Sequence, residues 1–169
     1  TFSGLFVFLS ASSYVYIESL GLSPAQYGAV MASASLAYLF GTSVCRKLLS
    51  RYGMTGAVRF ASITSLLSGL AFATVAFLDL RNLWALLLPQ WIYLLAHGVH
   101  QPCGQTGAVA PFPRAAGVAS SLAGFVMSAV AVLTGLGLGA VADGTMRPMA
   151  WAIAGWAGMT ALVGLTLVQ

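Results

Sequence analysis

Residues 83–117 read LWALLLPQWIYLLAHGVHQPCGQTGAVAPFPRAAG. The stretch is apolar enough to sit in a bilayer, yet it holds most of the chain's polar groups of the kind usually found buried. On a helix, at about 100° per residue, Gln90, Tyr93, His97, His100, Gln101, Gly104, Gln105 and Ala108 fall in one arc of roughly 140°. Leu88, Trp91, Ile92, Leu95, Val99 and Thr106 take the other side. A polar side chain facing hydrocarbon without a partner costs on the order of a few kcal/mol. The polar arc therefore has to face other helices or a water-filled cavity.

The rest of the chain supports a membrane reading. Of 169 residues, 59% are hydrophobic and 6% charged. A soluble domain carries about 25% charged residues, so this chain could not cover its own surface in water. The lipid bilayer is the expected partner. The net charge of +4 then gives no reason to expect nucleic acid, because in a membrane protein the position of the charges carries the information. Two cysteines, Cys45 and Cys103, cannot build a disulfide framework.

Six apolar segments are each long enough, or nearly so, to span about 30 Å of hydrocarbon. They run over about 2–19, 24–44, 55–78, 83–110, 115–141 and 149–168. The first starts at once after Thr1, with no charged leader and no small-residue cleavage site. It reads as a helix that has been cut, not as a signal peptide. Ser23, Pro24 and Gln26 form a helix-start signature before the second segment. Ala25, Ala29, Ser33, Ala37 and Gly41 then recur every four residues, a small-residue stripe that lets another helix approach. Ser121, Gly124, Ser128, Ala131, Gly135 and Gly139 form a second such face.

Between the second and third segments lies the basic run CRKLLSRYGMTGAVR, with Arg46, Lys47, Arg51 and Arg59. Basic loops stay in the cytoplasm. Alternating the loops from that anchor puts Arg46, Lys47, Arg51, Arg59 and Arg114 inside. Arg81, Arg147, Glu18, Asp79 and Asp143 lie outside. Both chain ends then fall in the cytoplasm, and both cysteines lie toward that side, where thiols stay reduced. Pro24-x-x-x-Gly28 and Pro113-x-x-x-Gly117 are offset by about 90 residues, which hints at an inverted three-plus-three repeat of the kind found in secondary transporters.

APFPRAAGVASSLAGF (residues 110–125), with the preceding GVHQPCGQTGAVA and the later DGTMRPMA, resembles the carboxy-terminal half of Bcr/CflA-type multidrug efflux transporters, twelve-helix members of the major facilitator superfamily. The resemblance to helices seven to twelve covers essentially the whole chain. It rests on Pro102, Pro111-Phe112-Pro113, Ala116-Gly117, Ala119-Ser120, Asp143-Gly144-Thr145 and Pro148. Family members often carry Asn where Cys103 stands. Arg51-Tyr52-Gly53 match the superfamily's inter-helix motif, whereas Ser50, Met54 and Thr55 depart from it.

The resemblance implies an all-α membrane protein of six transmembrane helices, half of a major facilitator fold, in the bacterial inner membrane. It implies proton-coupled efflux of drugs or other small amphipathic molecules. It also implies a missing amino-terminal six-helix half that holds the carboxylate carrying the coupling proton. No Asp or Glu lies mid-span in the present chain.

For the substrate pathway the candidates are Tyr93, His97, His100, Gln101 and Gln105 on the organising helix and Tyr38 on the second segment. The alternative for the histidines is a satisfied helix–helix hydrogen bond. A metal site is not expected, since Cys103 lies about 120° from His97 on the wheel and a zinc ligand set is missing. No cofactor is expected. Tyr14 and Tyr16, two apart, face different ways, and Trp84, Trp91, Trp151 and Trp156 read as lipid or interface contacts. Pro89 and Pro102 are expected to kink their helix. Two other classes are the alternatives. One is a freestanding six-span protein that pairs with itself. The other is an intramembrane enzyme using His97 or His100 as base and Ser120, Ser121 or Ser128 as nucleophile. The serines lack a glycine elbow and an orienting carboxylate, so the chain reads as a transporter half and not as an enzyme.

Overall fold

The computed structural model describes residues 1–166 and is helical in every long element. The expected end of the last segment at Val168 lies outside the described residues. Helix α1 (Phe2–Ser13) runs on through a π-helical turn, Tyr14–Ser19. Helix α2 covers Pro24–Leu78, α3 Leu83–Val109, α4 Ala116–Ala140 and α5 Arg147–Thr166. A single 3₁₀ turn, Pro113–Ala115, leads into α4.

Local chemistry sets most of these boundaries. Ser23 Oγ accepts from the Gln26 amide at 3.3 Å and Gln26 Oε1 accepts from the Ser23 amide at 2.8 Å, closing a capping box. Asn82 Oδ1 accepts from the Trp84 amide at 2.9 Å and starts α3. Helix α3 stays continuous through Pro89 and Pro102. The basic run, by contrast, is no loop. Arg46, Lys47 and Arg51 stand on helical turns of α2, because nothing before Gly53 breaks the helix. Only Gly53, at φ 67° and ψ −172°, leaves helical geometry. That left-handed φ is one glycine adopts without steric cost.

A straight helix of 55 residues would be about 80 Å long. The contacts show that α2 instead folds back at Gly53 into two limbs, residues 24–52 and 54–78. Along the first limb, Ser33 meets Trp91, Gly41 meets Leu95 and Cys45 meets Cys103. Numbers rise together, so this limb runs parallel to α3. Along the second limb, Ala61 lies against His100 and Ser68 against Pro89, so this limb runs antiparallel. It is antiparallel to α5 as well, where Gly69 meets Ala157 and Ser62 meets Gly164. Helix α1 opposes α5 through Thr1–Thr160 and Tyr14–Gly144, and its Phe6 packs on Gly135 of α4. The six helical segments thus alternate in direction.

Alternation gathers the charged groups at the two ends of the bundle. Asp79 Oδ2 accepts from Arg81 at 3.2 Å and Asp79 Oδ1 lies 3.5 Å from Arg147. The turns at 79–82 and 141–146 therefore share one face. Arg46, Lys47, Arg51 and Arg59 lie exposed toward the Gly53 end.

The main core draws on every segment: Val7, Phe8, Tyr16, Phe72, Leu86, Leu94 and Ile153 among others. A smaller cluster of Cys45, Ala57, Val58, Ala61, Val99 and Cys103 sits nearer the Gly53 bend. Three helices, Pro24–Leu78, Pro113–Ala140 and Arg147–Thr166, are long and apolar enough to cross a membrane. The 27-residue α3 has the length but is more polar, and it can be, because both limbs of α2 enclose it. Helix α4 is the opposite case. Only Ala131 and Leu138 are buried along it, while Val118, Phe125, Leu133 and Leu136 are about two-thirds exposed or more.

Candidate functional site

The polar arc of α3 divides at His97. Toward the start of the helix, Gln90, Tyr93 and His97 are closed off inside the bundle, at 0%, 0% and 2% exposure. Toward its end, His100, Gln101 and Gln105 are half-buried and Gly104 and Ala108 exposed. Tyr93, expected on a cavity wall, is instead a core residue. Its hydroxyl donates to the Thr1 carbonyl at 2.7 Å, and its ring end occupies the space a side chain at Gly4 would need. A glycine in α1 thus seats a tyrosine from α3.

Three cavities open along the remaining arc, and two of them meet at Gln101. One, of about 590 Å³, lies between α1, α3 and α4, with His100, Gln101 and Gln105 facing Ala119, Leu122 and Val126. Another, of about 520 Å³, lies between α1, the first limb of α2 and α3, and contains Tyr38, His97 and Gln101 beside Phe2, Phe8 and Met31. Gln101 contributes to both walls. The Tyr38 and His97 rings lie 5.7 Å apart at 39°, so the two segments present one aromatic ledge. His97 Nδ1 and His100 Nε2 have no protein hydrogen-bond partner among the described residues. The His97 ring nitrogen itself is buried. The second cavity is walled mostly by apolar surface, with Ser35, Tyr38, His97 and Gln101 as its polar residues. That is the usual make-up of a small-molecule site: apolar surface with a few placed polar groups.

Arg46, Lys47 and Arg51 are exposed on the bend side and away from these walls. The Arg51 guanidinium stacks over the Tyr52 ring at 5.4 Å.

Some expectations for the opposite side of α3 are corrected. Leu88 and Ile92 are exposed, at 50% and 39%, but Val99 is fully buried. Residues of both limbs of α2, Cys45 with Ala57, Val58 and Ala61, cluster with it. Trp91 is more than a lipid contact: its Nε1 donates to Ser33 Oγ at 3.0 Å. Tyr16 is buried and Tyr14 exposed, with the Tyr14 hydroxyl donating to the Gly144 carbonyl at 3.1 Å. Of the serines weighed as nucleophiles, Ser120, Ser121 and Ser128 lie exposed on α4, and Ser121 donates back to the Gly117 carbonyl at 2.9 Å. A different set of serines lies inside the bundle. Ser62, Ser65 and Ser68 are fully buried against α3 and α5, and Ser68 Oγ donates to the Pro89 carbonyl at 2.8 Å. Their three-residue spacing within an apolar helix was the available signal.

Among proteins of known function, the chain is similar to a bicyclomycin resistance protein homolog of Haemophilus influenzae, at 28% identity over 149 residues. The match covers 88% of this chain and 37% of that relative. The resemblance to Bcr/CflA-type transporters is borne out. No family model and no solved structure matches the chain. The chain spans little more than a third of that relative's length, and its helices fit an all-α membrane protein. In that setting the enclosed α3 and the lipid-compatible surface of α4 belong to one design. Polar groups sit where helices or cavities surround them, and apolar ones sit where nothing does.

Proposed function

We propose that this chain supplies one half of the translocation pathway of a drug-efflux transporter. The wall consists of the His97–Gln105 face of α3 with Tyr38. The observation that carries this reading is the pair of cavities meeting at Gln101, lined by mostly apolar surface with a few amide and imidazole groups. The relative named for bicyclomycin resistance supports efflux of a small drug-like molecule. In this reading all six segments cross the inner membrane, as one three-plus-three half of a major facilitator fold, with both ends in the cytoplasm. The surface left open by α1 and α4 faces an amino-terminal half of similar size. Export is driven by protons, and the acidic group that carries them belongs to that other half, since the three carboxylates here, Glu18, Asp79 and Asp143, lie at segment ends.

The test is resistance conferred by the intact transporter. Gln101→Ala and Tyr38→Ala should each change the ranking of drugs exported while the protein remains in the membrane. An unchanged profile for both variants across a panel of chemically diverse drugs would discard the pathway assignment. The mass of the native polypeptide separates two architectures. A species more than twice 17.5 kDa carries the partner half on the same chain, whereas one of 17.5 kDa requires a second copy.

A further inference from the structure

Cys45 and Cys103 are the chain's two cysteines. They stand 58 positions apart, on the first limb of α2 and on α3, yet their Sγ atoms lie 3.8 Å from each other. Both are nearly closed off, at 2% and 3% exposure, among Ala57, Val58, Ala61 and Val99. About one turn away the two helices touch through their backbones at Gly41 and Gly98. A crossing that tight suits the short Cα–Cα span of a disulfide, roughly 4.4–6.8 Å. Cys103 also forms part of the wall of a cavity of about 460 Å³, with His100, Trp156 and Thr160. A small solute in that cavity can reach one sulfur of the pair.

We propose that Cys45 and Cys103 form a redox modification site, which hydrogen peroxide entering from this cavity converts to a disulfide joining the first limb of α2 to α3. The Cys103 sulfur attacks the peroxide O–O bond, becoming a sulfenic acid as one water leaves. The Cys45 sulfur then attacks the oxidised sulfur, the S–S bond forms and a second water departs. The two thiols give up two protons and two electrons, and one peroxide becomes two waters. Side-chain rotation brings the sulfurs together, since the helices are already in contact. A thiol reductant reverses the bond. The dithiol is the resting form, and the disulfide marks oxidative load. The site is independent of the transport reading, although the bond would pin the helix crossing beside His97.

The experiment uses the full-length protein in native membrane vesicles. These are treated with hydrogen peroxide, then unfolded in an alkylating detergent, digested and weighed by mass spectrometry. The expected product is a cross-linked peptide joining the Cys45 and Cys103 segments, lighter by two hydrogens than the paired thiol peptides. It should vanish with dithiothreitol and be absent from Cys45→Ser and from Cys103→Ser. Should a serine variant fail to insert, the wild-type peptide and its reduction decide the matter alone. Full alkylation of both cysteines after peroxide overturns the proposal. So does oxidation of Cys103 without a cross-link, or a cross-link made only to another copy.

Discussion

Gly98 of α3 lies against the backbone of the first limb of α2 at Tyr38: a side chain at Gly98 would place its first carbon 2.6 Å from the Tyr38 carbonyl oxygen and 2.9 Å from the Thr42 nitrogen. Gly41 answers from the other helix, where a side chain would run into the Leu95 carbonyl. Small residues permit this approach, and packing is what holds helices together in lipid. The same contact sets Tyr38 beside His97 and Cys45 beside Cys103.

Enlarging Gly98 should therefore push the two helices apart. Gly98→Leu is expected to cost about 1–3 kcal/mol or more, as overpacking does. Thermal unfolding in detergent should show a clear fall in midpoint. An equivalent change at Gly28, which meets nothing nearby, should cost far less, and equal losses at both positions would contradict the close crossing.

The Trp91–Ser33 hydrogen bond joins the same two helices further along. Hydrogen bonds between membrane helices average about 0.6 kcal/mol and reach about 1.7 kcal/mol. Ser33→Ala and Trp91→Phe should each lower stability by an amount in that range, less than the glycine change. Because the partners are shared, the double variant should lose less than the sum of the two, and strict additivity would argue against the bond.

Gln90 is fully buried, and neither amide atom has a protein partner among the described residues. Burying an amide unpaired costs about 1–3 kcal/mol by protein mutational measures. Gln90→Leu, similar in size, is expected to raise the unfolding midpoint. A lower midpoint would mean that the amide is paired in the membrane-embedded protein.

Asp143 sits in the turn before α5, outside the membrane segments. Its Oδ1 accepts from Thr145 Oγ1 at 2.7 Å and from the Thr145 amide at 2.9 Å. These bonds, the hydroxyl's first, hold the carboxyl below its ordinary range. A depressed folded-state pKa contributes stability that is fully present above the unfolded value and is lost as pH falls through the folded one. The turn should therefore loosen only in acid, below the usual carboxylate range. Thr145→Ala should move the Asp143 titration upward toward that range, measured by carboxyl carbon NMR, while leaving the neutral-pH structure intact. No upward movement would rule out the hydroxyl as the main cause.

Charge-poor, apolar composition pointed to a chain of apolar helices. Local signals act locally: Ser23 with Gln26 starts α2, and Asn82 starts α3. The basic run misled because exposed Arg46, Lys47 and Arg51 look like a loop in composition, while nothing in them opposes a helix. Only the freedom of Gly53 to take a positive φ shows where the chain turns back.

The sequence by itself determined that α3 would have one polar side, since helical periodicity depends on spacing alone. It could not determine which part of that side would be enclosed, because enclosure depends on what other helices bring to it. Gly4 of α1 admits Tyr93 to the core, both limbs of α2 enclose Val99, and α4 stands off to leave His100, Gln101 and Gln105 facing open space. Likewise, two cysteines 58 positions apart carry no local mark of a pair. Their meeting is a product of the Gly41–Gly98 crossing, where packing between distant segments, not the preference of either one, sets the geometry.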